Sequence, residues 1–224
     1  MTLPPDLSVW RKAERARLLA RRTTVAATEH ATWNSAITTM LLQGFPSLAS
    51  LVVSFYWPFK GEFDPRFAIH GWRSRGARVA LPEVLEKNTP LQFRQWWPGV
   101  KTRAGVYDLP VPDATAVLQP DAALIPPIGF DAQGYRLGYG GGYFDRTLAA
   151  LSPQPLKIGV AYELSRIETI RPHIHDIAMD FIVTEAGIHM VRGSALVHVN
   201  DVQDVHERVD TLLRERGLPR SGQA

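Results

Sequence analysis

The chain reads as an α/β fold, one layered domain built on a mainly parallel sheet, and three observations predict it. Short apolar runs alternate with stretches of helical spacing, the order that βαβ units produce. With 224 residues, 45% of them hydrophobic and 21% charged, the chain has apolar mass for a full core. It has no cysteine, so neither disulfides nor thiolate metal ligation contributes to stability. One domain is expected over residues 1–224, with a core of about 8–190 and an amphipathic helix over 201–216. No signal-peptide pattern or long apolar run stands at the N-terminus, so a cytoplasmic location without membrane partners is expected.

Pro4, Pro5 and Asp6 introduce the first helix, with Asp6 expected as a cap near its start. Residues 11–22, RKAERARLLARR, hold six basic residues against one acidic, a local +5 that exceeds the +3 of the whole chain. At about 100° per residue, Arg11, Arg15 and Arg22 fall within roughly 40° of one another, with Leu18 on the same side. These arginines border the apolar face, whereas Arg17 and Arg21 point to solvent. A nucleic-acid module would spread its cations along a face with interleaved aromatics, and here only Trp10 stands beside them. No nucleic-acid partner is expected.

An apolar helix follows over His30 to Leu42, then a strand over Leu51 to Tyr56 that Pro58 closes. FYWPFKGEFDP places Glu62 in a loop ahead of a helix from about Asp64 to Ser74. A strand at Ala77 to Leu81 is closed by Pro82. Residues 88–120 carry five prolines together with Trp96 and Trp97, and read as loops and short strands that wrap the core. Trp96 and Trp97 are assigned to packing.

Ala122 to Ile125 form a buried strand ended by Pro126 and Pro127, and helical spacing resumes from Tyr143 to Leu151. Between them Gly138, Gly140, Gly141 and Gly142 strip side chains from a loop that leads into a helix N-terminus, an arrangement that accepts phosphate. A purely structural glycine turn is the alternative. Neither a Walker A sequence nor a complete dinucleotide fingerprint is present, since Tyr143 stands where GxGxxG needs glycine. Arg136 before the glycines and Asp145 in the first helical turn add a cation and a carboxylate, a set that suits a magnesium nucleotide. Further strands are expected at Lys157 to Tyr162 and Asp180 to Thr184. His173, His175 and Asp176 lie between them, too few ligands at too weak a spacing for zinc. The last helix, Asp201 to Arg216, is capped by Asn200 or Asp201 and stopped by Gly217; residues 218–224 are expected to fray.

RLGYGGGYFD, residues 136–145, resembles the signature loop of the 5-formyltetrahydrofolate cyclo-ligases, also called methenyltetrahydrofolate synthetases. The similarity extends to the basic helix, the WPxxGE segment ending at Glu62 and HDIAMDFIVTE, residues 175–185, and so covers most of 8–190. It implies a Rossmann-like three-layer α/β/α domain and a reaction between MgATP and 5-formyltetrahydrofolate. It implies an ATP site of Arg11, Arg15, Arg136, Leu137, Gly138, Tyr139, Gly140, Gly141, Gly142, Tyr143 and Phe144. Phe55, Glu62 and residues 139–143 would hold the folate, Glu62 taking the pterin N–H groups. Asp145 and Asp176 would hold Mg2+, with Asp180 a competitor for Asp176, and Arg136 with Asp145 would act in the chemistry. Four positions depart from the commonest family pattern. Arg11 replaces a frequent lysine, Tyr139 and Gly141 stand where some members carry arginine and lysine, and Phe144 replaces a second tyrosine. The state expected is monomer or homodimer. Two other readings stay open: a non-catalytic nucleotide or folate binder, and RNA binding through the basic helix.

Overall fold

The structure is a computed structural model that describes residues 4–219. In chain order the elements are α1 (Pro5–Thr23), α2 (Ala27–Gly44), β1 (Val52–Ser54), α3 (Arg66–Arg73), β2 (Arg78–Glu83), β3 (Gln92–Gln95), β4 (Thr102–Ala104) and β5 (Pro110–Pro112). They continue with β6 (Ala122–Ile125), β7 (Gly129–Phe130), β8 (Arg136–Leu137), α4 (Tyr143–Ala150), β9 (Leu156–Val160), β10 (Phe181–Thr184), β11 (Gly187–Arg192), β12 (Ala195–His198) and α5 (Val202–Glu215). Eight strands form one sheet in the order β12-β11-β10-β9-β6-β1-β2-β3. The five central strands, β10, β9, β6, β1 and β2, are parallel to one another, and antiparallel strands close both edges.

Burial explains why these strands lack a polar alternation. All four residues of β6, all five of β9 and all four of β10 are buried, as a central parallel strand covered on both faces requires. Alternate residues enter different clusters. Leu124, Ile158, Phe181 and Val183 pack with residues of α2, α3 and α5, whereas Ala123, Ile125 and Ile182 pack with Leu148 of α4 and with Phe130 and Met179. A third cluster joins Leu18 of α1 to Ile128, Leu137 and Ile170.

Several boundaries differ from the sequence expectation for local reasons. β2 runs through Pro82, because its last pair with β1 is Ser54 with Ala80, so the missing N–H breaks no ladder bond there. Asp6 does not cap α1: Pro4 is the N-cap residue, without a side-chain cap bond, and Asp6 sits in the first turn. At the other end Asp201 does cap α5, accepting from the Gln203 N–H, and Gly217 follows at φ 64°. The β11–β12 hairpin is an addition that apolar run length does not signal, since β12 is largely exposed. Residues 220–224 of the expected fray lie outside the described residues.

The parallel strands lie in the sheet order β2-β1-β6-β9-β10, and the sense in which the chain adds strands reverses between β1 and β6. Such a reversal opens a crevice beyond the carboxyl ends of the two strands, where α/β proteins bind ligands. The Glu62 loop follows β1 and the glycine loop follows β6 through the short β7–β8 hairpin.

Candidate active site

Helix α1 lies across this crevice and sends three side chains into it. Arg11 and Arg22 are 5% and 4% exposed, an unusual burial for arginine that the shared phase with Leu18 accounts for. At 1.5 Å per residue their Cα atoms are about 16 Å apart along the helix, long enough for one element to serve two ligands. Arg17 and Arg21 are exposed, Arg17 pairing with Glu14 on its own helix and Arg21 donating to the Leu164 carbonyl at 3.1 Å.

At one end the cations meet carboxylates. Arg11 grips Asp176 through both terminal nitrogens at 2.5 and 3.1 Å, and also donates to the Ile170 and Arg171 carbonyls. Arg136, 3.0 Å from Asp145, donates as well to the Ile177 carbonyl and stacks over the Phe144 ring at 5.9 Å. Burial pushes the Arg136 guanidinium below its ordinary pKa, and Asp145 opposes that shift. Arg15, likewise lowered by burial and by Arg11, donates to the Gly138 carbonyl at 2.7 Å. Its guanidinium lies where a Cβ on Gly140 would come to 3.2 Å, at a φ of +95° that other residues rarely adopt. Gly142, left-handed at φ 62°, starts α4 without any side-chain cap bond. The first N–H groups of α4 are therefore not taken up by a capping side chain, the condition for anion binding at a helix N-terminus. Arg146 folds back over the Tyr143 ring and donates to the Gly141 carbonyl.

The other end is drier. Glu62 is 6% exposed, and burial raises its pKa to about 7 in spite of three partners that favour the anion. Tyr139 donates its hydroxyl to Glu62 at 2.7 Å, the Phe59 N–H donates at 2.9 Å, and Arg22 stands 3.8 Å away. Arg22 also donates to the Tyr139 oxygen at 2.8 Å and to the Lys60 carbonyl at 3.0 Å. Burial, with the Glu62 charge, raises the Tyr139 hydroxyl well above the usual phenol range, so it acts as a donor and not as an anion.

Not every expected residue faces the crevice. Leu137 is 1% exposed and packs on Leu18 and Ile128, so only its backbone could meet a ligand, and that backbone pairs with Gly129 and Ile128. Phe144 turns toward the sheet cluster of Ile125 and Leu148. Phe55 is 1% exposed, its ring edge-on to Trp96 at 5.2 Å, which makes both part of the core as they stand. Asp180 belongs elsewhere, accepting from Arg216 at 2.7 Å and lying 3.2 Å from Lys157 at the start of β9. Among the described residues no group of three or more His, Cys, Asp or Glu side chains could hold a metal, so His173 and His175 form no such centre. Two side chains outside the expected set meet the crevice in the structure, Arg22 at Tyr139 and Arg146 at the Gly141 carbonyl. The first was marked by its phase on α1 and the second by its place one helical turn after Gly142.

Residues 7–185 match the model of the 5-formyltetrahydrofolate cyclo-ligase family. The chain is 30% identical over 153 residues to the 5-formyltetrahydrofolate cyclo-ligase of Escherichia coli K12, covering 64% of this chain and 82% of that one. It is 32% identical over 117 residues to that of Mycolicibacterium smegmatis, covering 49% of this chain and 60% of the relative. Among solved structures, the 5,10-methenyltetrahydrofolate synthetase of Aquifex aeolicus superimposes with a TM-score of 0.71 at 25% identity, covering 85% of this chain and 97% of that one. The Mycoplasma pneumoniae synthetase gives 0.65 at 25% identity, with 78% and 98% covered.

Proposed function

Because the chain belongs to the 5-formyltetrahydrofolate cyclo-ligase family, we propose that it closes 5-formyltetrahydrofolate to 5,10-methenyltetrahydrofolate with ATP and magnesium, releasing ADP and phosphate. The observation that carries this reading is one helix, α1, whose half-buried Arg15 reaches an uncapped glycine loop and whose buried Arg22 reaches a buried glutamate at a sheet switch point. The first suits a triphosphate; the second suits a pterin, whose adjacent N–H groups pair with a carboxylate.

In this reading the formyl oxygen attacks the γ-phosphorus of ATP and ADP leaves, giving a phosphorylated imidate. N10 of the folate then attacks the activated carbon, and phosphate and the N10 proton depart. The protein's part is positioning and charge neutralisation, the usual basis of phosphoryl-transfer catalysis. Arg15 and the α4 N-terminus would hold phosphate oxygens, Arg136 would balance charge at the transferred group, and Glu62 would fix the pterin. Arg146 restores to the loop a cation that Tyr139 and Gly141 do not supply. Leu137 and Phe144 would support the loop from below, while Phe55 with Trp96 would back the folate pocket.

The carboxylates fit magnesium unequally. Asp145 is 24% exposed and commits one oxygen, Oδ1, to Arg136 and the Ile177 N–H, leaving Oδ2 without a hydrogen bond among the described residues. Asp176 spends both oxygens on Arg11 and accepts the His173 N–H at 2.6 Å as well. Asp145 would therefore hold the ion directly, and Asp176 would join it only if Arg11 turned from the aspartate to phosphate. Magnesium needs few protein carboxylates, since phosphates and water complete its shell. When bound it would offset the phosphate charge.

We further read the sheet, covered on both faces, as a Rossmann-like three-layer α/β/α domain, and residues 1–224 as one domain working in the cytoplasm as monomer or homodimer. No helix of the described residues is long and apolar enough to cross a membrane. The deciding experiment mixes the protein with 5-formyltetrahydrofolate, with and without MgATP, and follows the methenyl chromophore. Absorbance that grows only with MgATP is expected. Its absence, with both ligands bound, would make the chain a binding protein instead.

A further inference from the structure

The in-phase arginines of α1 invite one joint role on phosphate, yet their contacts divide them. Arg11 and Arg15 engage Asp176 and the glycine loop, whereas Arg22 has no contact with either acidic group of that end. Instead it gathers the surroundings of Glu62. One nitrogen donates to the Lys60 carbonyl, a second to the Pro127 carbonyl at 3.4 Å beyond β6, and a third to the Tyr139 hydroxyl that itself donates to Glu62.

The Lys60 contact bears on backbone strain. Lys60 and Gly61 are consecutive left-handed residues, at φ 48° and 72°, and the first is a side chain that rarely adopts that region. This turn swings Glu62 inward, where its own carboxylate also accepts the Phe59 N–H. The outer side of the turn is closed by the Arg22 stem, 3.7 Å from where a Cβ on Gly61 would sit. A pterin that donates two N–H groups to Glu62 needs a carboxylate at a fixed angle, and the Tyr139 hydroxyl now occupies one of its oxygens.

We propose that Arg22 is a positioning residue for the folate end of the site. It holds the Lys60–Gly61 turn and, with its cation beside Glu62 and its bond to Tyr139, keeps the carboxylate aimed until the pterin takes the place of the hydroxyl. The proposal rests on the folate reading of the Glu62 pocket. It assigns the last turn of α1 to folate and the turns that carry Arg11 and Arg15 to nucleotide. The charged and titratable groups around Glu62 are Arg22 from α1, Tyr139 from the glycine loop, His30 from α2, whose Nε2 lies 3.2 Å from the Gly61 carbonyl, Asp64 two residues on, which pairs with Arg66, and the buried Tyr56 of the segment after β1, whose hydroxyl donates to the Phe63 carbonyl. The Lys60 ammonium stands apart, over the Phe59 ring at 5.0 Å.

The test measures binding of 5-formyltetrahydrofolate and of MgATP separately by calorimetry between pH 6 and 9, for wild type, Arg22→Lys, Arg22→Leu, Tyr139→Phe and Arg15→Leu. Arg22→Leu is expected to weaken folate about tenfold or more, the scale of leaving a buried charged group without its partner. ATP binding should stay within about twofold, by the additivity of separated sites. The pH midpoint of folate binding should move up, because an anion that loses its cation takes a proton more readily. Tyr139→Phe should move it the same way, and Arg22→Lys should restore the midpoint in part. Arg15→Leu should do the reverse, weakening ATP and sparing folate. Equal losses for both ligands in Arg22→Leu, or an unmoved midpoint, would overturn the proposal. If Arg22→Leu does not fold, the Lys and Tyr139→Phe variants decide by the same midpoint. A wild-type chain that binds ATP but no folate would overturn the functional reading itself and this proposal with it, whereas wild-type binding in Arg22→Leu would overturn the proposal alone.

Discussion

The two ends of the crevice handle charge by opposite means. At the end proposed for the nucleotide four groups form two ion pairs, Arg11 with Asp176 and Arg136 with Asp145, and Asp145 keeps an open side. The end proposed for the pterin has, among the described residues, a single buried carboxylate whose partners stop short of neutralising it, with Arg22 at 3.8 Å and a phenol in between. Charge arriving as a magnesium triphosphate can exchange into a set of ion pairs without leaving any member bare. A neutral pterin brings only N–H groups, so its site needs a carboxylate that is ionised, dry and not already paired directly. Burial raises Glu62 to about 7, while the carboxylates of the other end are paired with arginine, a contrast that suits the two ligands proposed.

Asp145→Asn should break the comparison at its nucleotide end with the largest effect. A turnover loss of about 100-fold to 1,000-fold is expected, the range for removing one charge-stabilising group, with folate binding within about twofold. Steady-state rates and folate titration check both halves, and retained turnover would remove the metal role from Asp145.

Glu62→Gln sharpens the other end. Folate affinity should fall by about 30-fold with ATP affinity nearly unchanged, measured by the same titrations. In wild type, folate binding should weaken as pH falls through about 7, where Glu62 takes its proton. Stability runs the other way. Here the carboxyl pKa is raised from 4.5 in the unfolded chain to about 7 when folded, so the native state holds the extra proton between those values. The stability it gives is present at low pH and is lost as pH rises through about 7. Glu62→Gln should therefore be more stable than wild type at pH 8, by at most about 3 kcal/mol, and equal to it below pH 4.5. Urea unfolding at the two pH values checks the sign, and a variant less stable at pH 8 would contradict the burial assigned to Glu62.

A smaller change is expected for Arg146→Ala, which removes the cation lying on Gly141. The MgATP constant should rise by about threefold to tenfold with the folate constant unaltered. The least effect belongs to Arg17→Ala, since that side chain is 55% exposed and pairs with Glu14. Both ligand constants and the unfolding midpoint should match wild type within error.

Much of this comparison was legible in the residue order. The glycine loop and its flanking Arg136 and Asp145 stand within ten consecutive residues, and backbone geometry at Gly140 and Gly142 follows from local sterics. Helical phase alone brought Arg11, Arg15 and Arg22 to one side of α1. What phase could not say is where each guanidinium ends, because that depends on residues more than 100 positions away: Asp176 for Arg11, Gly138 for Arg15, Pro127 and Tyr139 for Arg22. Pro82 read as a strand end for the same reason. Its cost depends on a neighbour strand, and β1 is too short to need its N–H. Likewise Asp176 and Asp180, four residues apart and chemically alike, were separated only by their partners, Arg11 for one and Lys157 with Arg216 for the other.

The sequence by itself determined the α/β class, the central parallel strands, the glycine-rich loop and the identity of the family. These rest on periodicity, glycine sterics and contiguous motifs, which are properties of neighbours in the chain. Only the tertiary structure decided that Glu62 is buried and titrates near neutrality, that Tyr139 bridges it to Arg22, and that Phe55 and Leu137 lie in the core. Burial, dielectric and partner choice arise where distant segments meet, and a pKa or a hydrogen bond is fixed only once the crossing at the β1–β6 switch point has brought them together.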